Sequence, residues 1–281
     1  MSNKSELSLQ GLPTQVQLKD KEFNQCRDLI YQWAGIHMTE AKKALVAGRL
    51  MKRIRHYNLK SYQEYIDIVL SDKVPEERQV MIDLLTTNET YFFREPKHFD
   101  YLINSILKLY NSNEMFRIWS AACSSGEEVY SLAMILAEHF GLNGNWEIYG
   151  SDISSRVLEE AKNALYPLED TETIPPDFLK KYCLKGVRSQ EGKFTVDKAL
   201  RDKTKFQQIN LTENLPDIGY FDAIFLRNVM IYFNKETKKV IVEKLVRRLK
   251  PTGVLVVGHA ESLHGLTPEV KSVAPTIYQK A

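Results

Sequence analysis

From Arg117 onward, short apolar runs alternate with amphipathic stretches, and this restricts the fold more than any other feature of the chain. Strand-like runs fall at Arg117–Ala121, Trp146–Ser151, Lys205–Ile209, Phe221–Arg227 and Val254–Gly258. Helix-like stretches fall between them, at Glu127–Phe140, Ser154–Ala164 and Lys235–Leu249. Strands alternating with helices predict an α/β unit built on a largely parallel, doubly wound sheet. One stretch breaks the alternation. Between Pro167 and Arg201, a Pro175-Pro176 pair and a short helical piece precede two strand-like runs, Cys183–Val187 and Gly192–Val196. They predict a small hairpin subdomain inserted at about 168–201.

The first third of the chain has a different pattern. Residues 1–16 read as a mobile tail, and they lack the apolar core of a signal peptide. Apolar residues then recur at spacings of three and four, as in Phe23, Cys26, Ile30 and Trp33, or Tyr62, Tyr65, Ile66 and Val69. Pro75 suits the start of another helix. A helical domain over 17–87 and a second domain over 88–281 are expected, within what 281 residues allow at ~150 per domain. The longest unbroken small and apolar run, Leu132–Ala137, is far short of the ~20 residues that span a bilayer. Three widely spaced cysteines, Cys26, Cys123 and Cys183, fit reduced thiols in a cytoplasmic protein. The net charge of +2 hides an asymmetry. Seven Lys/Arg and no acid lie between Ala41 and Lys60, on an otherwise mildly acidic chain. Such a block meets an anionic partner or is a solvated helix face.

Three segments carry groups able to do chemistry. The strand–loop–helix at Trp119–Tyr130 holds Cys123-Ser124-Ser125-Gly126 followed by Glu127 and Glu128, with Asp152 at the end of the next strand-like run. Ligands of open α/β sheets bind at the carboxyl ends of strands, and an acid there can take ribose hydroxyls. The loop lacks the Gly-Lys-Ser/Thr of a phosphate-binding loop. Two carboxylates at a helix N-terminus would repel a pyrophosphate, but they suit a cationic nucleoside such as S-adenosylmethionine. As alternatives, first-turn acids complement the helix dipole and Asp152 serves as a cap. Thr86–Arg94 (TTNETYFFR) sets small polar residues beside three aromatics and an Arg able to grip a carboxylate, or else is a packed linker. Arg227–Phe233 (RNVMIYF) follows a strand, as does Asn210-Leu211, which could hold an adenine edge. His259, Glu261 and His264 match no standard ligand spacing, so no metal is expected.

Together the stretches TTNETYFFRE (Thr86–Glu95), IWSAACSSGEEVYSL (Ile118–Leu132), Asp152–Ala161, FDAIFLRNVMIYF (Phe221–Phe233) and LKPTGVLVVGHAES (Leu249–Ser262) resemble one family: the CheR-type methyltransferases, which methylate glutamates of bacterial chemotaxis receptors. The resemblance runs in order from about Phe23 to the end of the chain. It departs at Ser125, Val129 and Ala260, where Thr, Pro and Ser are usual, without loss of an ionisable group. It implies a Rossmann-like S-adenosylmethionine-dependent methyltransferase domain behind the helical one. It implies cofactor contacts from Asn88, Thr90, Arg94, Glu128, Asp152, Asn210, Leu211, Asn228 and Val229, with Arg94 and Tyr232 near the transferring methyl. It also implies that Arg49, Lys52, Arg53, Arg55 and His56 of the basic helix face the receptor. The inserted subdomain would then be a second docking site. Its Gly186–Gly192 loop looks like the longer form found in members that bind a peptide at the receptor's C-terminus.

The expected protein is therefore a cytoplasmic, monomeric protein-glutamate O-methyltransferase whose partners are the cytoplasmic domains of chemoreceptors, with no nucleic acid partner and no membrane insertion. Two alternatives compete with it. A nucleic-acid methyltransferase would use the basic block on phosphates, although the chain lacks the Asn/Asp-Pro-Pro-aromatic loop of adenine methylation. A non-catalytic cofactor-sensing module would not need Arg94, Glu128, Asp152 and Tyr232 together.

Overall fold

The computed structural model describes residues 16–71, 73–110 and 113–281. Apart from Val16, the expected tail over 1–16 lies outside the described residues. Four helices come first: α1 (Asp20–Ala34), α2 (Lys43–His56), α3 (Tyr62–Val69) and α4 (Glu77–Leu85). Their apolar faces meet in one buried cluster that includes Phe23, Ile30, Leu50, Tyr65 and Met81. Glu22 ties two helix starts together, its carboxylate accepting the backbone N–H of Lys19 at α1 and of Gln63 at α3.

The polar centre of this unit is Glu77, only 1% exposed. Arg53 donates to both of its carboxylate oxygens at 2.7 Å, and the Tyr57 and Tyr65 hydroxyls donate at 2.9 Å. Burial alone would raise the Glu77 pKa, but these four donors outweigh it and hold the carboxyl below the usual range. The basic block is thus not one outward face. Arg53 neutralises Glu77, Lys43 pairs with Asp20, and Arg49 donates to the carbonyls of Leu85 and Thr86. Lys52, Arg55 and His56 are exposed.

The next segment, where the sequence suggested no element, coils as α5 (Lys97–Tyr101) followed by a π turn and a 3₁₀ turn. After it come β1 (Phe116–Ser120), α6 (Glu127–Phe140), β2 (Trp146–Asp152), α7 (Ser155–Asn163), β3 (Leu165–Pro167), α8 (Pro176–Tyr182), β4 (Cys183–Lys185), β5 (Lys193–Val196), α9 (Lys198–Arg201) and β6 (Thr204–Gln208). The chain ends in β7 (Phe221–Leu226), α10 (Lys235–Val246), β8 (Leu249–Val257), β9 (Val270–Ala274) and β10 (Ile277–Lys280). Seven strands form one sheet in the order β6-β2-β1-β7-β8-β10-β9. The first five are parallel, and β10 runs antiparallel to both of its neighbours. The apolar runs are continuous because both faces are covered. Ile118, Ala223, Phe225 and Val256 pack on the α6 side, while Trp119, Ile224, Leu226 and Leu255 pack on the α10 side.

Two parts of this architecture differ from expectation. The β9–β10 hairpin makes the sheet mixed, and it was not foreseen. The inserted hairpin is a three-stranded sheet, β3-β5-β4, in which Leu165–Pro167 supplies the extra edge. The helical unit also caps the other one. Asp83 of α4 accepts both the backbone N–H (3.0 Å) and the hydroxyl (2.8 Å) of Ser155 at the first turn of α7.

Arg53→Ala should strip a buried carboxylate of its cation and lower unfolding stability by about 3 kcal/mol. Lys52→Ala, on the exposed side of α2, should stay within about 0.5 kcal/mol of the parent. Urea denaturation of both variants checks the contrast.

Candidate active site

The carboxyl ends of β1, β2 and β7 open onto a cleft whose other wall is the helical unit. Ala34, Ile36, His37, Met38, Lys42 and Leu45 line that wall. Lining the strand side are Asn88, Thr90, Arg94, Glu128, Asp152, Asn210, Leu211, Asn228, Val229 and Tyr232. The residues expected around a cofactor and a transferring methyl therefore surround one space, although they come from five separate segments. The two walls are tied at its rim, where His37 N–H donates to the Tyr232 carbonyl (2.8 Å) and Asn210 Nδ2 to the Trp33 carbonyl (2.6 Å).

Backbone geometry shapes the floor. Gly126 sits at φ 97°, and an added Cβ would fall 2.9 Å from Ala161 Cβ and 3.1 Å from the Tyr166 hydroxyl. Only glycine lets the loop after β1 turn so tightly into α6. Four non-glycine residues of the cleft loops also hold left-handed backbone: Phe93, Glu95, Ser124 and Asn228, at φ 49–58°. Each costs of order 1 kcal/mol, so the surrounding bonds must enforce it. Glu261 is one such enforcer. Its carboxylate accepts the backbone N–H of Gly258 and Met230 (2.7 Å each) and of Asn228 (2.9 Å), pinning the loop that bears Val229 and Tyr232.

The two acids at the N-terminus of α6 have different surroundings. Glu128 faces the cleft and accepts from the Ser120 hydroxyl (2.6 Å) and from Arg227 Nη1 (2.7 Å). Glu127 is turned away, buried against the Ser125 hydroxyl, and burial pushes its carboxyl up to about 7. Asp152, also buried, accepts N–H groups from Ser124 and Ser154 at 3.0 Å, and burial raises its pKa despite them. Its acceptor geometry leaves capacity toward the cleft, as vicinal hydroxyls require. Arg94 lies over the Tyr91 ring and donates to the Glu89 carbonyl at 2.7 Å. The Asn210 side chain is occupied by Trp33, Glu213 and Thr212, so what it offers a ligand is backbone. Cys123 is buried in the loop with its thiol pKa raised by burial, which suits packing and not nucleophilic chemistry.

Arg227 and Glu95 lay inside the quoted motifs but were not singled out. Arg227, 3% exposed at its side chain, bridges Glu128 (2.7 Å) and Glu95 (3.0 Å) and also donates to the Arg94 carbonyl. The available signal was an arginine directly after the apolar run AIFL in FDAIFLR.

A five-stranded parallel core with a reversed hairpin, an acid facing the cleft after β1 and another ending β2, together with the match to a SAM binding domain, make this an S-adenosylmethionine-dependent methyltransferase. Glu128 and Asp152 fit a cationic nucleoside. Residues 88–278 match the family described as CheR methyltransferase, SAM binding domain, and residues 21–86 match CheR methyltransferase, all-alpha domain. Curated relatives agree. A chemotaxis protein methyltransferase of Salmonella typhimurium is 39% identical over 93% of this chain and 90% of its own length. Chemotaxis protein methyltransferase 2 of Pseudomonas aeruginosa is 40% identical over 93% of each chain, and a chemotaxis protein methyltransferase of Escherichia coli is 38% identical over 93% and 91%. The chain belongs to the CheR methyltransferase family. Among the described residues, no helix is long and apolar enough to cross a membrane.

Glu127 sets a pH dependence. Unfolded, it loses its proton near 4.5; folded, near 7. Between those values the folded state binds more protons, so this group's contribution to stability falls as pH rises. Glu127→Gln removes that loss. Relative to the difference between variant and parent at pH 4, the variant should gain up to about 3 kcal/mol by pH 8. Thermal melts across this range check it.

Proposed function

We propose that this protein transfers the methyl group of S-adenosylmethionine to glutamate side chains of chemoreceptors, giving methyl esters and S-adenosylhomocysteine, in the cytoplasm. The relatives' names support a role in chemotaxis. The observation that carries the reading is that Arg94 and Tyr232 line the same cleft as Glu128 and Asp152. In this reading residues 17–87 form a receptor-facing helical domain, and 88–281 form the methyltransferase domain with its insertion at about 168–201.

When bound, the cofactor supplies a methyl on a sulfonium, lost as a neutral thioether once a carboxylate oxygen takes the methyl. A glutamate of reference pKa ~4.3 is already ionised at pH 7, so the protein need not remove a proton. Its tasks are orientation and exclusion of water, and good orientation is worth up to ~7–11 kcal/mol. Arg94, steadied by Glu89 and Tyr91, aims the incoming carboxylate, and Tyr232 closes the pocket. Arg94 must not grip too hard, because the carboxylate loses its charge as the ester forms. Glu128, Asp152, Asn88, Thr90 and Val229 hold the cofactor, with backbone from Asn210, Leu211 and Asn228. Ile36, Met38 and Leu45 on the helical wall keep the site dry.

Receptor docking falls to the outward cations of α2. Lys52 and Arg55 are the docking charges, whereas Arg53 is committed to Glu77 and Arg49 to the Leu85–Thr87 turn. Gly186–Gly192 of the inserted subdomain takes a C-terminal receptor peptide.

Labelled S-adenosylmethionine offered to receptor-bearing membranes should give alkali-labile label that is released as methanol. Label in added nucleic acid instead, or label stable to alkali, overturns the reading. Arg94→Ala should cut turnover about 100-fold. Lys52→Glu with Arg55→Glu should slow receptor methylation about tenfold at low salt and less at 0.5 M, as screening predicts. Titration of S-adenosylhomocysteine should give the parent affinity for that double variant.

A further inference from the structure

Behind Arg227 lies a cluster that shares Glu95 with that ion pair and that the methyl-transfer reading does not use. Glu95 and His98 lie three residues apart, His259 joins them from the loop after β8, and one ligand atom from each lies within 4.8 Å of the others. The Glu95–His98 spacing is local, but their meeting with His259 could not be read from it.

His98 is buried at 2% exposure. Its Nε2 lies 2.7 Å from the Thr276 hydroxyl, which itself donates to the Pro275 carbonyl at 2.6 Å. The tautomer that fits both contacts has the imidazole proton on Nε2, donated to the Thr276 oxygen. That leaves a lone pair on Nδ1, which has no hydrogen-bond partner and lies 3.4 Å from Glu95 Oε2. Glu95 Oε2 accepts from Arg227 Nε (3.3 Å) and Nη2 (3.0 Å), whereas the buried Nδ1 beside it has no partner, and a cation seated between the two would give it one.

The surroundings match a coordination shell. Metal-ligating histidines donate their other ring N–H to a fixed acceptor, and ligating carboxylates are themselves hydrogen-bonded. His98 does the first through Thr276. Glu95 does the second through Asn228 Nδ2 and the His259 backbone N–H. Arg227 does not exclude a cation, because Glu95 and Glu128 together outweigh its single charge. The His259 ring, in edge contact with His98 at 4.8 Å, is exposed and provides an entry path.

We propose that Glu95, His98 and His259 form a divalent transition-metal site of zinc type, with two nitrogens, one oxygen and a position left for water. The metal shares Glu95 with Arg227, the guanidinium that also holds Glu128. Drawing Glu95 away leaves Arg227 leaning on Glu128, so metal loading opposes binding of the cationic cofactor.

Cobalt(II) added to the tag-free full chain reads the coordination directly, through visible d–d absorption that zinc should abolish. One equivalent should bind. His259→Ala should weaken affinity at least about tenfold, whereas His264→Ala, an exposed histidine outside the cluster, should keep it. Zinc should weaken S-adenosylmethionine binding about threefold or more in the parent and not in His259→Ala. Absent bands, or equal bands in His259→Ala, overturn the site. Nitrogen-15 shifts placing the His98 proton on Nδ1 would also overturn it, since that nitrogen would then have no lone pair to offer a metal. An effect of zinc on the cofactor that survives in His259→Ala overturns the coupling.

Discussion

The site depends on one buried arginine. Arg227 ends an apolar strand where water cannot reach it, and a guanidinium there is tolerable only with carboxylates in contact. Glu128 and Glu95 provide them, and they belong to different loops. The pairing therefore fixes three segments at once: the start of α6, the residues after Phe93 and the end of β7. Glu261 extends the same logic to the backbone. Its carboxylate gathers amide protons from the loop after β7 and from its own loop after β8, and these bonds hold Asn228 in its strained conformation. A cleft built from loops thus acquires the rigidity of the sheet beneath it.

The helical unit does two jobs with one helix. The inward side of α2 meets the cluster around Ile30 and Tyr65, where Arg53 keeps Glu77 charged in a nearly dry setting. Its other cations divide between the cleft rim and solvent. Counting seven charges overstated the surface available to an anionic partner, because a sequence reports charge and not direction.

How much could be read beforehand follows from which forces are local. Strands such as Val254–Val257 were legible because an unbroken apolar run has little alternative to burial on both faces. Gly126 and the acids beyond it were legible because tight turns and helix starts obey short-range rules. The β9–β10 hairpin was not: Val270–Ala274 is mostly exposed and owes its form to pairing with β10, itself laid against β8. Leu165–Pro167 was invisible for the same reason, being three residues long and ended by proline. Within the cleft, residue types near the strand ends could be read from the motifs. The tie of Asn210 to Trp33 and that of Arg227 to Glu95 could not, because each joins residues more than 130 positions apart.

Asp83 capping Ser155 has a consequence for how this architecture can be recombined. The first turn of α7 leaves amide protons that its own helix cannot satisfy, and one of them is met by a side chain from the other unit. Exchange of the helical unit between relatives therefore has to preserve a matched pair, an acid on α4 and a serine at the start of α7. A graft that keeps the outward face of α2 but loses this pair would fray the helix that follows Asp152. Substrate range can be shuffled among such enzymes only along seams where that acid and serine travel together.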